Sequence, residues 1–137
     1  MVGDRKMIRV KIVPNDSRNV AKVIIIDDDK RVLFLKRSDY VDKFAGEWDL
    51  PGGHIQVGED LMVGLKREVK EETSLDIGDC NFVDKLENIQ FFTCTYTDKP
   101  IKISHEHTGF RFFSKDDLDA NGKFEKMAIK ALEMKYD

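Results

Sequence analysis

The chain has 137 residues, 41% apolar and 36% charged, with a net charge of −3. That length suits one domain that buries a core without staples, and the balance is globular and soluble rather than disordered. The lack of a basic excess argues against a large nucleic-acid surface, while a local nucleotide pocket stays open. No apolar run has the length of a membrane span, and the start shows no signal-peptide core, so no membrane partner is expected. Cys80 and Cys94 lack Cys-x-x-Cys spacing and read as two reduced thiols of a cytoplasmic protein rather than a disulfide.

In chain order, residues 7–13 (MIRVKIV) alternate as a strand ending at Pro14. Residues 19–27 (NVAKVIIID) and 31–37 (RVLFLKR) are β-branched-rich runs separated by an acidic turn, which predicts a hairpin. Residues 38–48 read as a loop. Leu61, Leu65 and Val69 recur every four residues and predict a helix to Glu72. Residues 91–97 (FFTCTYT) alternate again, with Phe92, Cys94 and Tyr96 on one side, and 87–90 (ENIQ) read as an extension of that strand. Residues 101–104 (IKIS) and 109–114 (GFRFFS) are further predicted strands, and Ser114, Asp116 and Asp117 start a turn or short helix. The tail from Gly122 is an amphipathic helix with Phe124, Met127, Ala128, Ala131 and Leu132 or Met134 inward. Strands with one central and one terminal helix imply an α+β or α/β mixed sheet sandwiched between helices.

The central helix raises a question of charge. At about 100° per residue, with Leu61 at zero, Leu65 and Val69 fall near ~40° and ~80°. Glu72 falls near ~20° and Glu68 near ~340°, inside or beside the apolar arc, with Glu71 further round near ~280°. Partly buried carboxylates one turn apart are unfavourable unless a cation compensates. A hard divalent cation such as Mg²⁺ takes such oxygens. The alternative is a solvated surface helix whose acids are offset by Lys66, Arg67 and Lys70.

The spacing favours the first reading. Gly53, five residues, Glu59, seven residues, then Arg67-Glu68-Val69, one residue and Glu71-Glu72 resembles the Nudix hydrolase signature Gly-x5-Glu-x7-Arg-Glu-apolar-x-Glu-Glu-x-Gly-apolar. Every fixed position matches except Ser74, where the pattern has glycine just past the helix. The lead-in GEWDLPGGHIQVGE and the later EHTGFRFFSKDDL also resemble the family, so the likeness covers most of residues 20–118 and implies one Nudix-like domain over 1–137.

The resemblance implies hydrolysis of a nucleoside diphosphate linked to another group, with Mg²⁺ or Mn²⁺ as cofactor. It implies Glu68 and Glu72 as principal metal ligands, Glu71 as a further ligand or water bridge, and the Gly52 carbonyl as another ligand. Arg67 would pair with Glu59 or Glu71 and hold the glutamates. Glu59 would otherwise act as an acid near the helix start. Glu106 would be a ligand or general base, against a solvated loop acid. Lys36 and Arg37 are candidates for phosphate contact, against an ordinary strand end. Tyr40, Lys43 and Phe44 would border the base or the second group. His54 and Trp48 are expected to pack, the latter under the Pro-Gly-Gly turn, and His105 and His107 to lie neutral on the surface. Asn121 reads as a turn residue. A nucleoside triphosphate is the favoured substrate. Dinucleoside polyphosphates, ADP-ribose, an RNA 5′ pyrophosphate and a nucleotide sensor without catalysis remain alternatives, and a homodimer is left open.

Overall fold

The computed structural model describes residues 19–39 and 46–136. The strand expected over residues 7–13 and the loop residues Tyr40, Lys43 and Phe44 lie outside the described residues. In order come β1 (Val20–Ile26), β2 (Arg31–Arg37), β3 (Trp48–Asp49), β4 (Gly52–His54), α1 (Leu61–Thr73), β5 (Asn81–Leu86), β6 (Ile89–Thr95), β7 (His107–Ser114), a 3-10 turn (Lys115–Asp117) and α2 (Lys123–Tyr136). The predicted hairpin forms as expected. Asp27 fixes its turn by accepting the backbone N–H groups of Asp29 at 3.0 Å and Arg31 at 2.8 Å.

The described strands form one mixed sheet in the order β3-β2-β1-β6-β5, with β4 also paired to β1 and β7 to β2. β1 and β6 run parallel, Val20 beside Ile89 through Ile26 beside Thr95, and the other pairs are antiparallel. β1 is buried along its whole length, which suits a central strand covered on both faces. Its residues alternate between two cores. Val20, Ile24 and Ile26 pack with Met127, Ala128, Ala131 and Leu132 of α2. Ala21, Val23 and Ile25 pack with Leu65 and Val69 of α1. The sheet thus lies between the two helices, as the alternation of elements implied.

Four details differ from expectation. Residues 81–86 form a strand that the sequence reading missed, because their polar and apolar residues do not alternate cleanly and a bulge lies between Phe82 and Asp84. Residues 87 and 88 form the turn between β5 and β6, with Glu87 at φ 57°, instead of extending β6. Residues 101–104 join no strand, since Lys102 N–H and Ser104 N–H donate to the α1 carbonyls of Thr73 and Glu72 at 2.9 and 3.1 Å. Trp48 packs edge-on against the Phe113 ring, centroids 5.1 Å apart, rather than under the glycine turn. In α2 it is Leu132 that turns inward, and Met134 is exposed.

α1 ends where the family pattern asks for glycine. Ser74 adopts φ 67°, ψ 11°, and its N–H donates to the Lys70 carbonyl. Its hydroxyl donates to the Lys102 carbonyl at 3.2 Å, an exposed bond that only partly offsets the left-handed backbone. Ser74→Gly should therefore raise unfolding free energy by about 0.5 kcal/mol, seen as a higher urea midpoint at unchanged slope. A lower midpoint would show that the hydroxyl bond outweighs the strain.

Candidate functional site

The site begins with a turn that only glycine permits. Gly52 has φ 128°, and a Cβ there would lie 2.1 Å from the Ala21 carbonyl oxygen. β4 therefore presses closely on β1, with Gly52 opposite Lys22. A Cβ on Gly53 would lie 2.6 Å from Glu68 Oε1, so this glycine makes room for the carboxylate.

α1 is aimed across this turn. Its N-cap is Asp60, whose carboxylate accepts the N–H groups of Met62 at 3.1 Å and Val63 at 3.2 Å. That leaves Glu59 for another task. Arg67 donates to both Glu59 oxygens, at 2.8 and 3.1 Å, and to Glu68 at 3.1 Å and Glu71 at 3.3 Å. It also reaches the His54 carbonyl at 3.4 Å. The Arg67 guanidinium holds Glu59 below the usual carboxylate range, and Arg67 is itself held more basic than usual, chiefly by the Glu59 bond. The expected pairing is present, extended to Glu68. His54 differs from expectation, because its ring is exposed and its backbone carbonyl is what serves.

Glu72 lies deepest of the box acids. Only 9% of it is exposed, and its Oε1 accepts the Gly52 N–H at 2.9 Å. Burial pushes its carboxyl up to about 8, against the opposing pull of Lys22 and the Gly52 N–H. Lys22 is also buried, and its ammonium donates to Asp49 at 3.2 Å and to the carbonyls of Leu50 and Gly52 at 3.2 and 3.3 Å. Asp49 takes a second cation, Arg37, at 3.4 Å. Lys36 is exposed, so of the two strand-end bases only Arg37 joins this network.

His107 corrects another expectation. It is buried beside this network, neither ring nitrogen has a hydrogen-bond partner, and burial lowers its pKa. His105 is exposed, as expected. Glu106 is exposed, but its loop is tied down. Its carbonyl accepts Ser38 N–H at 2.8 Å, and Ser104 N–H holds the Glu72 carbonyl at 3.1 Å. Asn121 sits in a turn, with its N–H donating to Asp119 at 2.9 Å. Lys22, Asp49 and His107 were missed as members of the polar interior. The one available signal was a lysine inside the apolar run of β1.

Among the described residues no three His, Cys, Asp or Glu side chains converge as a ready metal cluster. Glu68 and Glu71 instead face Arg67. The donor set still fits a hard divalent cation, because it is all oxygen and one carboxylate is buried with only the Gly52 N–H and Lys22 to offset it.

Sheet, helix pair and glycine turn with its acid helix define a Nudix-type domain. The NUDIX domain family model matches residues 16–133, and the chain belongs to the Nudix family. It is 27% identical to a nucleoside triphosphatase, NudI, of Escherichia coli O1:K1 / APEC, covering 69% of this chain and 80% of the relative. It is 40% identical to an m7GpppN-mRNA hydrolase, NUDT17, of Xenopus laevis over 39% of this chain, and spans only 18% of that relative's length. A MutT protein from Methanosarcina mazei Go1 superposes with a TM-score of 0.65 at 26% identity, covering 86% of this chain and 94% of the other.

The Glu72 carboxyl sets a pH signature for the metal-free protein. Its folded pKa, about 8, stands above the ordinary value of 4.5. The folded chain therefore keeps a proton that the unfolded chain has released. This contribution to stability is full below about 4.5 and is lost as pH rises through about 8. In EDTA, wild type should lose stability by a few kcal/mol between these limits, and Glu72→Gln should lose much less. Urea unfolding across that range checks it, and parallel profiles would refute the assignment.

Proposed function

We propose that this chain is a divalent-cation-dependent nucleotide pyrophosphohydrolase that cleaves a phosphoric anhydride bond, with a nucleoside triphosphate as favoured substrate. The observation that carries the reading is the buried Glu72 carboxylate, hydrogen-bonded to the Gly52 N–H of the glycine turn and one helical turn from Glu68. The similarity to a nucleoside triphosphatase supports the substrate class. Mg²⁺ is the proposed ion, on the all-oxygen donor set. The cytoplasm is the proposed setting, on two unpaired cysteines.

Glu68, Glu71, Glu72 and the Gly52 carbonyl would hold the cation. When bound, it neutralises diphosphate charge and polarises water for attack at phosphorus. The chain's own residues do the rest. Arg67 holds Glu68 and Glu71 on the turn side of α1 and, through Glu59 and the His54 carbonyl, locks the helix to that turn. Lys22 orients the Gly52 carbonyl and offsets the charge of Glu72. Arg37 offers a guanidinium to substrate phosphate from the end of β2. Glu106 stands on a loop anchored to the end of α1, a placement suited to accepting a proton or adding an oxygen ligand.

Incubating the purified protein with Mg²⁺ and a panel of nucleoside triphosphates, dinucleoside polyphosphates and ADP-ribose tests the reading. A triphosphate should turn over fastest and release pyrophosphate. Binding without turnover across the panel would leave a sensor, not an enzyme. Glu68→Gln should abolish most turnover while the fold persists, since the amide keeps volume and loses ligand charge. Glu106→Gln should lower turnover by roughly ten-fold or more. Recovery with added Mg²⁺ would assign it as a ligand, and a curve superimposable on wild type would remove Glu106 from the site.

A further inference from the structure

The polar site leaves one pair of reactive side chains unused. Across the β5–β6 ladder Asn81 faces Thr93 and Phe82 faces Phe92. The strand β5 starts one residue after Cys80, and continuing its register would set Cys80 opposite Cys94. Residues directly opposed in an antiparallel pair have Cα atoms about 4.5–5.5 Å apart, inside the ~4.4–6.8 Å range that a disulfide spans. Both side chains join the apolar cluster beneath α1, Cys94 buried within it and Cys80 partly exposed at its margin. The Cys80 S–H donates to the Gly78 carbonyl at 3.4 Å, and each thiol shifts the other's ionisation, Cys94 lowering the pKa of Cys80 and Cys80 raising that of Cys94. The two reduced thiols read from the sequence are therefore neighbours.

We propose that Cys80 and Cys94 form a two-thiol oxidation site, which a peroxide converts to an intramolecular disulfide across the β5–β6 ladder. Cys80 is the entry point. It is the more accessible thiol, and the Cys94 thiol, aided by the Lys66 charge, holds its pKa below the usual value. The Cys80 thiol, together with burial, raises the pKa of Cys94 and keeps it protonated. The Cys80 thiolate attacks one peroxide oxygen, the O–O bond breaks, and hydroxide leaves a sulfenic acid on Cys80. The Cys94 sulfur then attacks the Cys80 sulfur, the S–O bond breaks, and the Cys94 proton leaves with that oxygen as water. The first hydroxide recovers the proton that Cys80 gave up. One peroxide is thus reduced to two waters, and two thiols lose two electrons. The bridge staples edge strand β5 to β6 through the loop that includes Glu87.

The test is treatment of the purified chain with hydrogen peroxide, followed by intact mass and maleimide counting of free thiols. Both thiols should disappear together, with loss of two hydrogens per chain, no cross-linked dimer, and reversal by dithiothreitol. The bridge should form roughly ten-fold faster or more in the native chain than in urea, because the fold sets the two sulfurs side by side. It should also raise the urea midpoint. Cys94→Ser should stop at a sulfenic acid on Cys80 that dimedone traps, and Cys80→Ser should leave Cys94 slow to react. Independent loss of one thiol, sulfinic acid in place of the bridge, dimers, or equal rates in native and urea-treated chains would overturn the proposal.

Discussion

The site depends on keeping one carboxylate out of water. Glu72 is held against the glycine turn by a single backbone N–H, and burial raises its pKa to about 8. A buried carboxylate costs free energy unless a cation or protonation relieves it. Much of the surrounding architecture reads as a response to that cost. Gly52 brings backbone close because no Cβ fits there, and Lys22 sits beneath the turn as a buried ammonium. The parallel pairing of β1 with β6 completes the covered central strand from which Lys22 projects.

Two basic residues divide the work of holding the acids. Arg67 binds three glutamates and a carbonyl with one planar guanidinium, a task its fixed fork suits better than a lysine would. Lys22 binds two carbonyls and Asp49 from below, where a compact ammonium fits. Arg67 sits partly in solvent, so its bonds are screened and chiefly set position. Lys22 is buried, and its removal would leave Asp49 and Glu72 without a major compensating charge.

Much of this was legible in the residues. The four-residue recurrence of Leu61, Leu65 and Val69 marked the helix face, which carries Glu72 inward and leaves Glu68 half-buried at its edge. The hairpin at Asp27 followed from local turn chemistry, and the Arg67 pairings with Glu59 and Glu71 and the helix end at Ser74 from the family pattern. What escaped depends on contacts distant in sequence. The polar interior of Lys22, Asp49 and His107 joins β1, β3 and β7, and locally only the lysine inside the apolar run of β1 marks it. The register opposing Cys80 and Cys94 is also nonlocal, and β5 itself hid behind a bulge. Residues 101–104 look like a strand, but the last carbonyls of α1 take their donors.

The claim that Glu72 is a buried acid awaiting a cation is tested most directly by calorimetry of Mg²⁺ binding at about pH 7, in buffers that differ in ionisation enthalpy. Below its pKa of about 8 the carboxyl is mostly protonated, so Mg²⁺ must displace a proton as it binds. The predicted result is a binding heat that varies with the buffer in wild type and loses that variation in Glu72→Gln. A heat independent of the buffer, or the same dependence in the variant, would contradict it.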